Sequence, residues 1–390
     1  MLAVVGAISL AIWAYLLLGR RRFWRADQRL PQAGAGAPSA SVLAVVPARD
    51  EAAVIGDSVA GLLAQDYPGP LRIVVVDDGS TDGTAELARM AAAGHDRPLE
   101  IVSGRPLPAG WSGKLWALQT GLEHADRTGP ATDFIWFSDA DIDHHPDVLR
   151  RLAALAETRS LALVSVMARL HCAGVWERLL VPAFVFFFQM LYPFPAVNDP
   201  RSPVAGAAGG CILLRREALE RAGGLASMRD ALIDDCALAA RVKGAGGRLW
   251  LGFEPGVRSR RESNGLRDLW LMVSRTAFTQ LRYSGLLLVL VLAGLALTFL
   301  VPPLLLLTWP LHRDGLATLL GAAGWAAMSA AYAPTLAEYG RRPGEALALP
   351  ATAALYGAMT LHSALNHWRG ATSRWKGREY QKSHTRGRVG

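Results

Sequence analysis

The chain has 390 residues and a formal net charge of +8, with 51% hydrophobic and only 19% charged residues. Its mean hydropathy of +0.21 is too high for an enzyme that is soluble throughout, so part of the chain is expected to lie in a bilayer. The three cysteines (Cys172, Cys211 and Cys236) follow no metal-ligand spacing and give no disulfide framework, and we interpret them as small core residues.

The first apolar stretch, within residues 1–22, predicts a transmembrane anchor. MLAVVGAISLAIWAYLLLG runs for about 18 residues without a charge, which suits a spanning helix better than a signal peptide, and no small-residue cleavage site follows. The arginines Arg20, Arg21 and Arg22 place its C-terminal end on the cytoplasmic side. Residues 23–40, rich in Pro, Gly and Ala, are predicted to be a linker.

Residues 41–280 are predicted to form one α/β domain. SVLAVVPARDE contains a buried strand over 42–46 that Pro47 is expected to stop, and a helical pattern follows. PLRIVVVDDGS gives a second apolar strand, and a helix is predicted over 81–93. Alternating strands and helices predict a parallel sheet with right-handed crossovers, which binds ligands at the carboxyl ends of its strands.

Acidic residues recur at the predicted strand ends. They are Glu51, Asp77, Asp78 and, after the strand FIWF, Asp139 and Asp141. Their recurrence predicts one shared site. An Asp at a strand end is also a common turn former or helix cap. We favour that interpretation for Asp82, and both interpretations stay open for Asp77 and Asp78 taken alone.

The run WFSDADIDHH indicates a metal site. Asp139 and Asp141 offer carboxylate oxygens to a hard divalent cation, Mg²⁺ or Mn²⁺, while water and substrate phosphates take the remaining positions. Such a cation would neutralise a diphosphate leaving group as its bond breaks. The roles of His144 and His145 stay open. Either could touch the metal, but His145 also marks the start of the predicted helix PDVLRRLAALAE. We favour the structural role.

Three apolar stretches follow the predicted domain, at about 284–309, 315–336 and 347–366. Residues 281–368 are therefore predicted to be a transmembrane region and 369–390 a basic tail. The tail carries seven Lys/Arg and is expected on the cytoplasmic face, which conflicts with three full crossings after the anchor. One stretch should turn back, and 284–309, with the pair Pro302-Pro303, is the candidate.

Four motifs in order, VVPARDE, VVVDDGSTDGT, SDADID and LIDDCALAARV, resemble those of family 2 glycosyltransferases of the GT-A fold. The membrane plan and the stretches GWSGKLWALQTG, AGAAGGCILLRREALERAGG and WKGREY resemble the hopene-associated glycosyltransferase branch, near ceramide glucosyltransferase and carotenoid glycosyltransferase relatives. The resemblance covers nearly the whole chain. It implies an α/β GT-A domain with a mostly parallel sheet, and an inverting transfer from a nucleotide-diphospho-sugar.

The resemblance also implies roles for individual residues. Pro47, Arg49 and Glu51 would shape the nucleotide pocket, and Asp78, with Asp77 as the alternative, would contact the base or ribose. Asp139 and Asp141 would lie at the metal and the diphosphate.

Asp234 and Asp235 match the acidic pair that precedes a helix in this family, and Asp235 is the predicted base for the acceptor hydroxyl. The alternative is that the pair only caps the helix CALAARVKG. Lys114, in a Trp-Ser-Gly-Lys turn, is predicted to meet phosphate oxygens, the alternative being a solvated lysine. The run AGAAGG (205–210) would line the acceptor side.

The sequence departs from the family at one motif. Processive synthases carry Gln-x-x-Arg-Trp, whereas FTQLRYS has Thr279 in place of the glutamine and Tyr283 in place of the tryptophan. Arg282 is predicted to reach the diphosphate, and transfer of a single sugar is favoured over processive synthesis.

Residues 175–195 (VWERLLVPAFVFFFQMLYPFP) predict an interfacial segment that brings a lipid to the site, with a core helix as the alternative. We expect a transferase acting on a hopanoid or polyprenoid-type lipid, multi-pass in the inner (plasma) membrane with its catalytic domain in the cytoplasm, and no nucleic-acid partner. Sphingolipid-like or carotenoid acceptors are alternatives within the enzyme class. A lipid transporter with a nucleotide-sensing domain is an alternative from another class. The three acidic sites in order, at 77–78, 139–141 and 234–235, argue against it, since sensing would not need the base Asp235.

Overall fold

The computed structural model describes residues 1–32, 38–369, 374–375 and 378–379. The chain divides into two compact units. The sheet unit contains Gln28–Leu170 and Val197–Arg261, and the helical unit contains Met1–Asp27, His171–Ala196 and the chain from Glu262 to the end of the last long helix. Each unit is therefore assembled from segments that are far apart in the sequence.

The strands are, in chain order, β1 (Val42–Ala48), β2 (Leu71–Asp77), β3 (Leu99–Ser103), β4 (Phe134–Ser138), β5 (Ile142–His144), β6 (Leu163–Arg169), β7 (Cys211–Arg215), β8 (Leu249–Ser259), β9 (Arg374–Trp375) and β10 (Arg378–Glu379). The first eight form one sheet in the order β3-β2-β1-β4-β7-β6-β8-β5, and the last two pair with each other.

The helices are, in chain order, α1 (Leu2–Leu18), α2 (Ile55–Leu63), α3 (Thr84–Ala91), α4 (Gly113–Thr128), α5 (Val148–Thr158), α6 (Val175–Leu191), α7 (Phe194–Val197), α8 (Arg216–Arg221), α9 (Asp234–Gly244), α10 (Leu266–Gln280), α11 (Gly285–Leu295), α12 (Val301–Leu307), α13 (Trp309–His312), α14 (Gly315–Glu338) and α15 (Leu349–Trp368).

The predicted α/β class with a mostly parallel sheet is confirmed. β1 pairs in parallel with β2 and β4, β2 with β3, and β6 with β8, whereas the β4–β7, β6–β7 and β5–β8 pairs are antiparallel. Apolar strands such as β1, buried along its whole length, are typical of sheets covered on both faces. The carboxyl ends of β1, β2 and β4 meet at one edge, hereafter the carboxyl edge.

Pro47 does not end β1, contrary to the expectation from sequence. β1 pairs with β4 only from Val42 to Val45, but it continues beside β2 as far as Ala48. Proline cannot donate to a ladder and is tolerated where one neighbouring strand is missing. Pro47 is therefore carried to the carboxyl edge within the strand.

The helical unit contains helices that suit a bilayer. Among the described residues, three helices are long and apolar enough to cross a membrane: Val175–Val197, Gly285–Leu307 and Gly315–Glu338. The predicted anchor forms α1, which is apolar but 17 residues long. The stretch predicted at 347–366 forms α15 and is outside that set of three. Crossing of a membrane by any of these helices stays a prediction.

The pair Pro302-Pro303 does not turn the chain back. Residues 285–307 are helical throughout, and a π-helical segment, Ala296–Leu300, precedes the prolines. Prolines at 302 and 303 have no N–H, so Thr298 loses the donors four and five residues ahead of it. The indole N–H of Trp13, on α1, supplies the hydrogen bond instead, at 2.8 Å from the Thr298 carbonyl oxygen.

Candidate active site

A cavity opens at the carboxyl edge of the sheet unit. About 320 Å³ of space, including the part open to solvent, lies between its lining residues. Its lining includes the charged or hydroxyl side chains of Lys114, Ser138, Asp139, Asp234 and Asp235, together with Pro47 and Gly209. The other lining residues are apolar: Leu115, Leu118, Phe137, Ile212, Leu225, Met228 and Leu238. Five residues predicted from the sequence, namely Pro47, Lys114, Asp139, Asp234 and Asp235, therefore share one cavity.

The ends of three elements bring the charged groups together. Asp139 directly follows β4, and Asp234 and Asp235 open α9. Lys114 lies in the first turn of α4, whose N-cap Ser112 accepts the backbone N–H of Leu115 through its hydroxyl oxygen. Carboxylates are favoured in the first turn of a helix, because the free N–H groups there carry partial positive charge.

Lys114 is shared between two of the acids. Its Nζ lies 2.7 Å from Asp139 Oδ1 and 3.3 Å from Asp234 Oδ2. Burial alone would lower the pKa of Lys114, but the carboxylates of Asp139 and Asp234 outweigh burial and raise the pKa above its ordinary value. Lys114 is therefore an ion-paired cation inside the cavity, and the alternative of a solvated lysine does not fit.

The Asp235 carboxylate is partly buried and held by two backbone N–H groups. Its Oδ2 accepts the backbone N–H of Gly209 at 2.9 Å, and its Oδ1 accepts that of Cys236 at 2.7 Å. Burial, followed by the charge of Asp234, raises the pKa of Asp235 to about 6, although Lys114 and the Cys236 N–H act in the opposite direction. A carboxylate of that pKa can take up a proton near neutral pH.

Asp141 lies in a second cluster at the same edge. Its Oδ2 accepts the hydroxyl of Ser259 at 2.8 Å and lies 3.3 Å from Nε of Arg261. Nη2 of Arg261 donates to both oxygens of Glu51, at 2.6 and 2.7 Å. Sequence reasoning missed Ser259 and Arg261. The available signal was the basic run RSRRES at the end of β8.

The pair Asp77 and Asp78 shows mainly structural contacts. Asp77 Oδ1 accepts the backbone N–H of Ser80 at 3.0 Å, as a turn former does. Asp78 is buried, its backbone N–H donates to the Ala48 carbonyl at 2.8 Å, and its own carbonyl accepts Nη1 of Arg49. The nucleotide roles of Arg49, Asp77 and Asp78 stay predictions.

The two histidines have different environments. His144, on β5, is buried, and its Nε2 lies 2.8 Å from the Ser138 hydroxyl oxygen. Burial lowers the pKa of His144 to about 3, so its ring is neutral. The exposed His145 pairs through Nδ1 with Asp147 at 2.7 Å, just before α5. Both contacts fit the structural interpretation that the sequence favoured.

The donor set fits a divalent cation without a preformed cage. Within the described part of the chain, no group of three or more His, Cys, Asp or Glu side chains is arranged to hold a metal. The pKa of Asp139 is nevertheless raised, because burial and the charges of Asp141 and Asp234 outweigh the opposing effect of Lys114. A divalent cation beside Asp139, with water and phosphate as further ligands, would relieve the repulsion between Asp139 and its acidic neighbours.

Arg282 belongs to the helical unit rather than to the sheet unit that contains the cavity. It follows α10 with a φ of +50°, in the left-handed region, and the next residue, Tyr283, shares that conformation. Its role at a diphosphate stays a prediction.

An α/β sheet with acidic residues gathered beside a cavity at the carboxyl edge is an arrangement that the GT-A class of fold shares. Residues 43–223 match the family model of glycosyl transferase family 2. The chain therefore contains a glycosyl transferase family 2 domain.

Two curated relatives match parts of the chain. An N-acetylglucosaminyltransferase of Rhizobium leguminosarum bv. viciae is 32% identical over 192 residues, which are 47% of this chain and 41% of the relative. A 4,4'-diaponeurosporenoate glycosyltransferase of Staphylococcus aureus (strain bovine RF122 / ET3-1) is 33% identical over 102 residues, which are 26% of this chain and 24% of the relative. The chain thus spans less than half the length of either relative.

One solved structure is similar over almost the whole chain. It is the mannosyltransferase PcManGT from Pyrobaculum calidifontis in complex with GDP-Man and Mn²⁺. It superimposes with a TM-score of 0.57 at 24% identity, covering 94% of this chain and 99% of the mannosyltransferase. This similarity shows a shared fold.

Proposed function

We propose that this protein transfers a single sugar from a nucleotide-diphospho-sugar to a lipid acceptor, with inversion at the anomeric carbon. The observation that carries the proposal is the cavity in which Lys114, Asp139 and Asp235 meet at the carboxyl edge. The family 2 domain and the glycosyltransferases among its relatives support the same reaction class.

Asp235 would act as the base. The acceptor hydroxyl oxygen attacks the anomeric carbon from the face opposite the diphosphate, and the bond from that carbon to the diphosphate oxygen breaks. The hydroxyl proton passes to the Asp235 carboxylate, and the nucleoside diphosphate leaves with the electrons of the broken bond. The N–H groups of Gly209 and Cys236 hold the carboxylate in place for this transfer.

Lys114 would stabilise the leaving group. Its ammonium, already within 2.7 Å of Asp139, lies where a diphosphate held beside that acid would be in reach. Asp139 and Asp141 would hold a divalent cation, Mg²⁺ or Mn²⁺, whose charge offsets that of the departing diphosphate. The complex of PcManGT with GDP-Man and Mn²⁺ supports a metal and a nucleotide-sugar here as well.

The surface of the helical unit supports a membrane location. Leu286, Val289, Leu290 and Leu304, on α11 and α12, are between 55% and 71% exposed. An exposed apolar surface of this kind suits lipid tails rather than water. We infer a multi-pass protein of the inner (plasma) membrane, with the sheet unit on the cytoplasmic side, where nucleotide-sugars are made.

The lipid acceptor would be of hopanoid or polyprenoid type, as the resemblance of the motifs implies. A carotenoid acceptor is the second candidate, and the diaponeurosporenoate glycosyltransferase relative favours it. Thr279 and Tyr283, in place of the Gln and Trp of processive synthases, support addition of one sugar in either case. The interfacial role of residues 175–195 is part of this proposal.

A product assay tests the proposal. The full chain, purified in detergent, is incubated with Mn²⁺ and a panel of nucleotide-sugars, with separate hopanoid, polyprenol, carotenoid-acid and ceramide acceptors. We expect one nucleoside diphosphate to be released together with one glycolipid carrying a single sugar, identified by mass spectrometry. The Asp235→Asn variant is the inactive control. Nucleotide binding without any glycolipid product would contradict the proposal and favour the transporter.

A further inference from the structure

Arg261 joins two acids that lie far apart in the sequence. Its Nη2 donates to Glu51 Oε1 and Oε2 at 2.6 and 2.7 Å across 210 positions of the chain, and its Nε lies 3.3 Å from Asp141 Oδ2. Glu51 follows β1, Asp141 follows β4 and Arg261 follows β8. One guanidinium therefore connects the ends of three strands of the sheet unit.

This bridge, formed by Glu51, Arg261 and Asp141, fixes one oxygen of the Asp141 carboxylate. Oδ2 accepts the Ser259 hydroxyl at 2.8 Å in addition to its contact with Arg261. No residue in the described part of the chain donates to Oδ1, so this oxygen keeps its lone pairs available. Two donors on one oxygen hold the carboxylate in one rotamer, with the other oxygen presented to a ligand.

We propose that Arg261 is a positioning residue, which holds Asp141 in the orientation that binds a divalent cation, and that Glu51 acts on the metal site through Arg261. The inference rests on the proposed function, because it assumes that Asp141 is a metal ligand. It adds two residues to that site, Arg261 and Glu51, neither of which needs to touch the metal.

The charges of the bridge are compatible with a metal. Glu51 and Asp141 bring two negative charges and Arg261 one positive charge, so the trio keeps a net charge of −1. Glu51 is buried, at 8% exposure, which anchors the guanidinium at one end. The planar guanidinium can bind Glu51 with one nitrogen and Asp141 with another, a geometry that an ammonium cannot reproduce.

Hydrogen bonds to metal-ligating carboxylates raise metal affinity because they orient the ligand in advance, and their loss typically costs about 10-fold to 100-fold in affinity. Arg261→Gln should therefore weaken Mn²⁺ binding by about that factor while Asp141 itself is intact. Arg261→Lys should recover only part of the loss, since one ammonium cannot keep both carboxylates in the same geometry.

The experiment measures Mn²⁺ binding by calorimetry on the full chain in detergent, with UDP or GDP present and no sugar or acceptor, so that no turnover contributes. Arg260→Gln is the matched control. Arg260 is 49% exposed against 46% for Arg261, and its Nη2 pairs with Asp143 at 2.6 Å. Arg260→Gln should bind Mn²⁺ like the wild type, and thermal unfolding checks that each variant is folded.

A double variant tests whether Glu51 acts on the metal site through Arg261. If Glu51 acts through Arg261, Glu51→Gln should weaken Mn²⁺ binding by itself, and adding it to Arg261→Gln should cause little further loss. Glu51→Gln also breaks the bridge from its other end, which keeps the inference testable if Arg261→Gln fails to fold.

Two results would overturn the inference. Wild-type affinity in a folded Arg261→Gln chain would show that the bridge is not needed, and tighter binding would show that Arg261 competes with the metal. A wild-type chain that binds nucleoside diphosphate but no Mn²⁺ would instead remove the metal role of the proposed function, and this inference with it.

Discussion

Lys114 Nζ lies 2.7 Å from Asp139 Oδ1, and the same ammonium is 3.3 Å from Asp234 Oδ2. One cation thus connects the acid proposed to hold the metal with the acidic pair that contains the proposed base. Changes at Lys114 should therefore affect donor binding and proton transfer together.

Lys114→Met should weaken donor binding by about 10-fold to 100-fold, the effect expected for loss of a charge-assisted hydrogen bond to phosphate. It should also raise the pKa of Asp235, because Lys114 lowers that pKa in the wild type. Nucleotide titration and the pH profile of kcat/KM measure the two effects. Lys114→Arg, which keeps the charge, should retain most of the wild-type profile. An unchanged profile in Lys114→Met would contradict the shared role.

The wild-type pH profile should show an acid limb near pH 6. Burial and Asp234 raise the pKa of Asp235 to about 6, and only the ionised carboxylate can accept the proton. Below that pH, kcat/KM should fall about tenfold per unit. Rising pH has the opposite effect on stability. The folded-state pKa exceeds the ordinary 3.8, so the contribution of Asp235 to the free energy of unfolding decreases as pH rises from about 4 to about 6.

Asp235→Asn should separate base catalysis from binding. The amide keeps the size of the side chain but cannot take up the proton, so kcat should fall by about 10²-fold to 10⁴-fold. Donor affinity, measured by calorimetry, should stay within a few-fold of wild type. Asp230→Asn, an exposed acid shortly before α9, is the control and should leave kcat unchanged. Equal loss of donor binding in Asp235→Asn would make Asp235 a nucleotide contact.

Asp141→Asn should abolish turnover and Mn²⁺ binding while the fold is kept, and a chelator should silence the wild type in the same way. Asp143→Asn is the matched control from the same acidic run, because Asp143 pairs with Arg260 at 2.6 Å and lies on β5. Mn²⁺ titration and product assays compare the two variants. Activity that survives in chelator would rule out the metal role.

The sheet unit should face the cytoplasm. Arg20, Arg21 and Arg22 follow α1, and the positive-inside rule fixes that end inside. In a chain without its native cysteines, Ser103→Cys should stay protected from an impermeant thiol reagent in intact cells and react after permeabilisation. The same is expected of Ser383→Cys, in the basic tail outside the described residues. Reaction of Ser103→Cys in intact cells would place the donor site on the wrong face for nucleotide-sugars.

The acids of the carboxyl edge were predictable because local sequence places them there. An apolar strand that ends in acids identifies both the strand and the side chains at its end, as with β4 and Asp139. The turn before a helix is equally local and indicated Lys114, whereas Asp235 was indicated by the resemblance to family 2 glycosyltransferases.

The pairing of Glu51 with Arg261 was not predictable, because nothing near Glu51 in the sequence indicates a partner 210 positions away. The antiparallel β5–β8 pair brings the end of β8 beside Asp141, and that pairing is not encoded locally. The continuous helix through Pro302-Pro303 escaped prediction for the same reason. Proline predicts a break in an isolated helix, whereas here a distant donor satisfies the carbonyl that the prolines leave open.

That donor, Trp13, has a consequence for the order of folding. Trp13 and Thr298 are 285 positions apart, a distance that synthesis at about 5–20 residues per second covers in roughly 15 to 60 s. Throughout that interval Trp13, on α1, has left the ribosome while its partner Thr298 has not yet been synthesised. All eight strands of the large sheet precede Thr298 in the chain, so the sheet can close during translation. The helical unit is then the last part of a newly made molecule to be completed.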